Sequence, residues 1–161
     1  MSEVSSKSSQ QTDHTIPQGD YFVQEFVPFI LNNVTNTINQ RFKKSLRKFD
    51  LNVTQWRVLA ALGQKGNVSL TDLCAMTAID QPSLSRVIDL LVERNLVTRA
   101  PRATDGRFNE IALSREGQSL RDRAWPMAIE HAELAVNGLT GDEQETLRQL
   151  LKKMMASLRG D

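Results

Sequence analysis

Apolar side chains recur at every fourth position from Tyr21 onward, which is the spacing of one face of an α-helix. The stripe consists of Phe22, Phe26, Ile30, Val34, Ile38, Phe42 and Leu46. It predicts an amphipathic helix over 21–49. Pro28 either kinks this helix or marks a late start, because a proline inside a helix removes a backbone donor. Residues 1–20 are rich in Ser, Gln and Thr, and we expect a disordered tail or an N-terminal arm there.

Three shorter helices are predicted next, each opening on a capping residue. The capping signals are Asn52 with Gln55, Ser69 with Asp72, and Asp80 with Pro82 in the first turn. The apolar positions behind them predict one helix that stops at 63–67, a short helix that reaches Met76, and a longer helix over 80–95.

The pattern then becomes extended. Residues 96–100 and 109–113 have the character of strands, and 101–107 is a polar loop between them, so the three together predict one β-hairpin. Helical spacing returns at 114–137, with Pro126 inside, and at 141–159. The expected fold is mainly α with a small β-hairpin wing. It comprises a winged helix-turn-helix domain over 50–113, with helical dimerisation segments at 21–49 and 114–161.

The amino-acid composition excludes fewer classes of function than the hydrophobic pattern does. The 161 residues carry a net charge of +1, so nucleic-acid binding has to be argued from local clusters. We expect Cys74, the single cysteine, to be a small core residue and no redox switch. His14 and His131 are too few and too far apart for a metal site, and no cofactor is expected. No apolar run spans a membrane and residues 1–20 lack a signal peptide's apolar core, which favours the cytoplasm.

The exposed start of the 80–95 helix carries hydrogen-bonding side chains, namely Gln81, Ser83, Ser85 and Arg86. The major groove of DNA admits an α-helix, and an arginine paired with a guanine edge contributes about 1–3 kcal/mol of discrimination. We therefore expect Arg86 to contact a base, and Ser83 and Ser85 to contact phosphates or to remain helix-surface hydroxyls. The alternative for Arg86 is a structural salt bridge to Asp89 or Glu93.

The loop of the predicted hairpin carries Arg102, Asp105 and Arg107. Arg107 has no apolar surface to cover at a hairpin tip, and an arginine gains from the negative potential of a narrow minor groove. Asp105 can hold the guanidinium in a fixed orientation. An ordinary charged turn is the alternative.

A basic cluster ends the first helix, at Arg41, Lys43, Lys44, Arg47 and Lys48. Compensation of the helix dipole and contact with phosphates explain it equally well.

Three segments in order resemble the MarR (multiple-antibiotic-resistance regulator) family. Residues 105–117 are similar to its wing signature, in which Asp-x-Arg leads through a strand to Leu-Thr-x-x-Gly; Ser114 replaces the usual Thr and keeps the hydroxyl. Residues 83–91 with 96–99 resemble its recognition helix and first wing strand, and 53–59 the start of its second helix. The resemblance runs from about Tyr21 to the end of the chain.

The resemblance implies a homodimer whose first and last two helices intertwine, bound to a pseudo-palindromic operator in double-stranded DNA. The chain's own pattern agrees, because the helices at 21–49, 114–137 and 141–159 carry more apolar residues than a winged domain can cover. The resemblance also implies a repressor that a small aromatic carboxylate releases. The pocket between dimerisation helices and winged domain would then be lined by Phe29, Asn33, Trp56 and Arg57. The bland alternative is that Phe29 and Trp56 are core and Arg57 forms an ion pair.

An enzyme and a winged-helix protein-interaction module are the two alternatives to a regulator. An enzyme is disfavoured because the sequence has no glycine-rich phosphate loop, nucleophile elbow or metal-ligand spacing. A winged-helix protein-interaction module is the nearer alternative, although such modules often lose the basic residues found at 86, 102 and 107. Activation and repression are not separated by the sequence.

Overall fold

The computed structural model describes residues 23–102 and 105–160, with the side chains of 102–109 outside the description. The predicted tail at 1–20 and the side chains of Arg102, Asp105 and Arg107 therefore lie outside the described residues. The chain divides into two units, Met1–Thr35 and Asn36–Asp161, and each is described by itself.

Six helices and three strands follow one another along the described residues. The helices are α1 (Val27–Leu46), α2 (Val53–Lys65), α3 (Leu70–Thr77), α4 (Gln81–Glu93), α5 (Arg115–Leu134) and α6 (Gly141–Arg159). The strands are β1 (Val68–Ser69), β2 (Val97–Arg102) and β3 (Asp105–Leu113). This mainly helical chain with a small antiparallel sheet confirms the predicted fold class.

The predicted helix over 21–49 is wrong as one continuous element. A 3-10 turn at Val23–Glu25 precedes α1, and a second 3-10 turn at Arg47–Phe49 follows it. Pro28 stands in the first turn of α1, so of its two predicted effects the late start is the one observed, because a proline in the first turn costs no intrahelical hydrogen bond. In the first unit the side chains of Val23, Phe26, Val27, Ile30 and Val34 are exposed.

The predicted capping residues are confirmed. Asn52 and Gln55 form the predicted reciprocal capping box at α2; Thr140 and Glu143 form a second capping box, at α6. The hydroxyl of Ser69 accepts from the backbone N–H of Asp72, which opens α3. Each cap satisfies donors that a helix start would otherwise leave unpaired.

The sheet has the strand order β1-β3-β2 and is antiparallel throughout. Two details differ from the sequence expectation. The strands of the hairpin reach Arg102 and restart at Asp105, so the predicted loop over 101–107 is largely strand. The two-residue strand β1 was missed, since two residues show no alternation.

The core of the second unit lies among α2, α3, α4 and the sheet. Its completely buried side chains are Leu46 of α1, Val58, Leu59, Leu73, Leu84, Ile88 and Leu91, together with Ala124 of α5. Cys74 is partly buried and packs against this core, as predicted. None of the helices in the described part of the chain has the length and apolar character needed to cross a bilayer.

Candidate nucleic-acid interface

The N-terminal turn of helix α4 is polar and exposed, and the opposite side of the helix is anchored in the core. The carboxylate of Asp80 caps it by accepting from the backbone N–H of Ser83 at 2.9 Å. This hydrogen bond lowers the pKa of Asp80 below its ordinary value of 3.8. Leu84, Ile88 and Leu91 are completely buried on the opposite side of the helix and anchor it to the core. The predicted helix over 80–95 is thus observed, two residues shorter at its C-terminal end.

The four predicted DNA-contacting residues of α4 differ in their exposure. Gln81, Ser83 and Arg86 are exposed, whereas Ser85 is partly buried. At 100° per residue Arg86 lies about 165° from the middle of the buried face formed by Leu84, Ile88 and Leu91. Arg86 is therefore the member of the set that projects most directly away from the protein.

The structural alternative for Arg86, a salt bridge to Asp89 or Glu93, is not observed in the described residues. The carboxylate of Asp89 pairs instead with the guanidinium of Arg99, with an N–O distance of 3.0 Å. Within the described residues neither Asp89 nor Glu93 forms an ion pair with Arg86. Among the described residues the charge of Arg86 helps to lower the pKa of Asp80 but forms no ion pair, so the guanidinium can still pair with a ligand outside the chain.

A tight turn sets α4 against α3. Ala78 closes α3 in the left-handed conformation with φ of 52°, and Ile79 and Asp80 lead directly into α4. Only three residues separate the two helices, which is the connection typical of a helix-turn-helix. Ile79 packs against the core and fixes the turn.

The hairpin β2–β3 follows α4 and is bound to it at its base. The left-handed Asn95 reverses the chain after α4. The hydroxyl of Ser114 then donates to the Asn95 carbonyl at 2.5 Å and accepts from the backbone N–H of Gly117 at 2.9 Å. One side chain therefore joins the end of α4, the end of β3 and the start of α5.

Comparison with known proteins bears on this arrangement. The sequence profile of the MarR family matches residues 49–107, which hold α2 to the start of β3. Over nearly the whole chain there are relatives named as repressors. The HTH-type transcriptional repressor NicR of Pseudomonas putida is 29% identical over 98% of this chain and 97% of its own. The HTH-type transcriptional repressor IacR of Pseudomonas putida is 27% identical over 90% of this chain and 87% of its own.

This chain belongs to the MarR family.

Solved structures agree with this membership. BpsR of Bordetella bronchiseptica, whose DNA binding is regulated by 6-hydroxynicotinic acid, superposes with a TM-score of 0.79 at 29% identity, over 85% of this chain and 98% of that one. A mutant of Escherichia coli MarR complexed with operator DNA shares the fold, with a TM-score of 0.73 at 24% identity. As a member of this family the chain is a transcriptional regulator, and the geometry of α4 and the hairpin is that of its winged helix-turn-helix.

The MarR wing signature has a physical basis in this chain. Ser114 caps α5, and Gly117 packs against the backbone of Leu96, where a side chain would find no room. The side chains of Arg102, Asp105 and Arg107, which carry the Asp-x-Arg part of the signature, lie outside the described residues. Their contact with the minor groove stays a prediction.

The predicted effector residues fall in both units of this MarR family member. Trp56 and Arg57, from α2, line an open cavity of about 510 Å³ in the second unit. The rest of its wall is Ala60, Ala61, Gln64, Lys65, Met76 and Thr77. Phe29 and Asn33 lie on the N-terminal half of α1, in the first unit, and stay a prediction.

Aromatic rings connect this cavity to two other helices of the second unit. The ring of Trp56 meets that of Phe42 on α1 edge to face, with centroids 6.1 Å apart, and that of Trp125 on α5 at the same distance. Phe42 in turn contacts the ring of His131, whose Nε2 lies 2.8 Å from the Ser45 hydroxyl. His131 therefore has a packing role here.

The basic cluster at the end of α1 continues into the 3-10 turn that follows it and surrounds the buried Phe42 and Leu46 in sequence. Its members, Arg41, Lys43, Lys44, Arg47 and Lys48, are all exposed. No ion pair within the described residues involves any of them. Both interpretations of the cluster, dipole compensation and phosphate contact, remain open.

Proposed function

We propose that this protein is a homodimeric repressor that binds a pseudo-palindromic operator through α4 and the wing, and that a small aromatic acid releases it from DNA. The observation that carries the proposal is Arg86, whose guanidinium forms no ion pair within the described residues and lies on the outward face of a helix whose other side is buried in the core. A regulator of this kind acts by binding alone and performs no catalysis.

The DNA-binding part of the proposal assigns the major groove to α4 and the minor groove to the hairpin. Gln81, Ser83 and Arg86 offer donors and acceptors of the kind that distinguish base edges in the major groove. Arg107, with Asp105 and Arg102 near it in sequence, suits the adjacent minor groove, where arginine gains from the negative potential. The two contacts together would fix both the position and the orientation of each winged domain on its half-site.

Dimerisation is supported by apolar surface that the single chain leaves uncovered. Helix α6 has no buried residue along its 19 residues. Its exposed large apolar side chains are Leu147, Leu150, Met155 and Leu158. A monomer rarely exposes so continuous an apolar stripe, and a second copy that packs on α6 would cover it. Two-fold symmetry then predicts half-sites about 34–36 Å apart, one turn of DNA.

The effector part rests on the cavity beside Trp56. The indole offers an aromatic face, while Arg57 and Lys65 offer cations for a carboxylate. A ligand there would press on Trp56 and, through Trp125, on α5, which begins at the base of the wing. This route connects an occupied cavity to the geometry of the DNA-binding elements.

Selection of genomic DNA fragments by the purified full-length protein tests the proposal. It is carried out at moderate salt, alone and with benzoate, 6-hydroxynicotinic acid or homoprotocatechuate. The expected result is enrichment of a two-fold symmetric site that one of the acids abolishes. A site that no acid affects would contradict the effector part, and recovery of no sequence by folded dimer would favour the protein-interaction module.

Arg57→Gln separates an effector defect from a DNA-binding defect. We expect this variant to keep the operator affinity and to lose the response to the acid, because Arg57 lies in the cavity and away from α4. The control is Lys48→Gln, which removes one charge from a surface outside the cavity and is expected to leave the response to the acid unchanged. Calorimetry with the acid in the absence of DNA measures the cavity directly.

A further inference from the structure

We propose that the ion pair between Asp89 and Arg99 is a positioning device that makes the recognition helix and the wing act on DNA as one unit. The inference rests on the DNA-binding function proposed above. It assigns to Arg99 a role through Asp89, without contact with DNA.

The position of Asp89 calls for a neutralising partner. Asp89 follows Arg86 by three residues, so both lie on the same exposed face of α4. More than half of the Asp89 side chain is exposed, at 55%. A free carboxylate on the face that enters the major groove would repel the phosphates on either side. The sequence therefore places an acid where DNA binding tolerates one only if its charge is compensated.

The strand register explains why Arg99 is the partner. Arg99 follows the buried Val97 by two residues, and side chains two apart in a strand share a face. Its cross-strand neighbour on β3 is the buried Ile111, which confirms that this face is turned to the core. Arg99 stands beyond the edge of that core, where its guanidinium reaches Asp89 of α4 at 3.0 Å.

The pair joins α4 to β2 at a point away from the base of the wing. Ser114 and Asn95 bind α4 to α5 and β3 at one end. Arg99 lies in the middle of β2, between that base and the wing tip. A contact at this point fixes the angle between α4 and the hairpin, and with it the distance between the residues that reach the two grooves.

A second ion pair on the same helix provides a matched control. Arg94, at the C-terminal end of α4, pairs with Asp50 at the same N–O distance of 3.0 Å. The exposed fractions of the two arginine side chains are similar, 31% for Arg94 and 33% for Arg99. Arg94→Gln and Arg99→Gln therefore remove equal charge from similarly exposed arginines, whose partners Asp50 and Asp89 are 94% and 55% exposed, but only Arg99 lies on the wing.

The experiment compares Arg99→Gln, Asp89→Asn, the double variant and Arg94→Gln on the DNA duplex that the wild-type protein selects. We expect Arg99→Gln to weaken binding by about tenfold or more, and Arg94→Gln by less than about threefold. The double variant keeps the net charge of the protein and no longer leaves a bare carboxylate. We expect Asp89→Asn to weaken binding as well, because it also breaks the pair, and the double variant to recover only the part of the loss that the bare carboxylate causes, with a salt dependence equal to that of the wild type.

A direct phosphate contact by Arg99 gives a different result. Asp89→Asn, which frees Arg99, would then bind at least as tightly as the wild type, and in Arg99→Gln the slope of log affinity against log salt would fall by about 0.9. That outcome would overturn the proposal, as would an Arg99→Gln variant that binds like the wild type.

Backbone amide hydrogen exchange without DNA separates this proposal from the proposed function. Arg99→Gln should speed exchange in β2 relative to the wild type, and Arg94→Gln should not. Faster exchange in a protein that selects no DNA would leave the mechanical connection standing and refute the DNA-binding function. Unchanged exchange in Arg99→Gln would refute the connection itself.

Discussion

A side chain at Gly117 would collide with the backbone of Leu96. A Cβ added there would lie 2.8 Å from the carbonyl carbon of Leu96 and closer still to its oxygen. This carbonyl also accepts from the backbone N–H of Ser114 at 3.1 Å, so it cannot withdraw without loss of that hydrogen bond. The first turn of α5 and Leu96, the residue just before β2, are therefore in direct backbone contact.

Gly117→Ala is expected to destabilise the protein by about 3 kcal/mol or more, because overpacking against backbone forces a shift of the whole element. Gly138→Ala is the control, since nothing lies within 4 Å of a Cβ at Gly138. It should leave the stability nearly unchanged. Urea denaturation of both variants measures the difference, and equal midpoints would contradict the close packing of α5 on Leu96.

The wing signature shows what sequence reasoning captures. The resemblance to the wing signature marks Ser114 and Gly117, and the hydroxyl that Ser114 keeps in place of the usual Thr caps α5. The physical requirement for Gly117 was not foreseen, because its neighbour Leu96 is 21 residues away and no local pattern announces a backbone contact. Local chemistry such as capping can be predicted from spacing, whereas the closeness of two backbones depends on the folded arrangement.

Ala78 holds a conformation that suits glycine better than alanine, with φ of 52° in the turn between α3 and α4. The left-handed region destabilises a non-glycine residue by about 1–2 kcal/mol. Glycine relieves this strain, but the greater conformational entropy of glycine in the unfolded chain offsets about 0.5–1 kcal/mol of the gain. Ala78→Gly should therefore raise the free energy of unfolding by up to about 1 kcal/mol. Thermal melting of the variant measures the change.

Ala75→Gly is the control for this turn, because Ala75 is exposed in the body of α3. A glycine inside a helix costs about 1 kcal/mol, so this variant should melt below the wild type. If the two substitutions destabilised the protein equally, the left-handed turn at Ala78 would be ruled out.

Which charged side chains form ion pairs with each other is the feature that the sequence predicts least well. Asp89 was considered as a partner of Arg86, three residues away on the same helix. The structure pairs it with Arg99, ten residues away on a strand. Both distances are short in sequence, and only the register of β2 on β3, which turns Arg99 toward α4, decides between them. The strand β1 was missed for a similar reason, since it exists only because Val68 and Ser69 pair with β3.

Leu150 tests whether α6 belongs to a dimer interface, because its side chain is 55% exposed on the apolar stripe of that helix. Leu150→Glu should convert the dimer to monomer in sedimentation velocity experiments at micromolar concentration, since a charge buried in an apolar interface has no partner. Gln149→Glu adds the same charge on the opposite side of α6 and should leave the dimer intact. A wild-type protein that sediments as a monomer would refute the interface.

Arg107→Ala tests the wing. The proposed contact is with the minor groove, so operator affinity should fall by at least tenfold, equivalent to about 1.4 kcal/mol. The melting temperature should not change, because a wing-tip residue has no core to support. Fluorescence anisotropy with the selected duplex and calorimetric melting give the two values. Unchanged affinity would remove the minor-groove assignment of Arg107.

Arg86→Ala distinguishes base recognition from simple charge attraction at α4. Arg86 is exposed and has no ion pair among the described residues, so its loss should not destabilise the fold. If it pairs with a guanine, the variant loses about 1–3 kcal/mol of discrimination at one position in each half-site and keeps the preferences at the others. Repetition of the DNA selection with the variant reveals which position relaxes.

Arg123→Ala, an equal loss of charge on the exposed surface of α5, should leave every position unchanged. A uniform loss of affinity for all sequences would instead make Arg86 a phosphate contact and move base recognition to Gln81 and its neighbours.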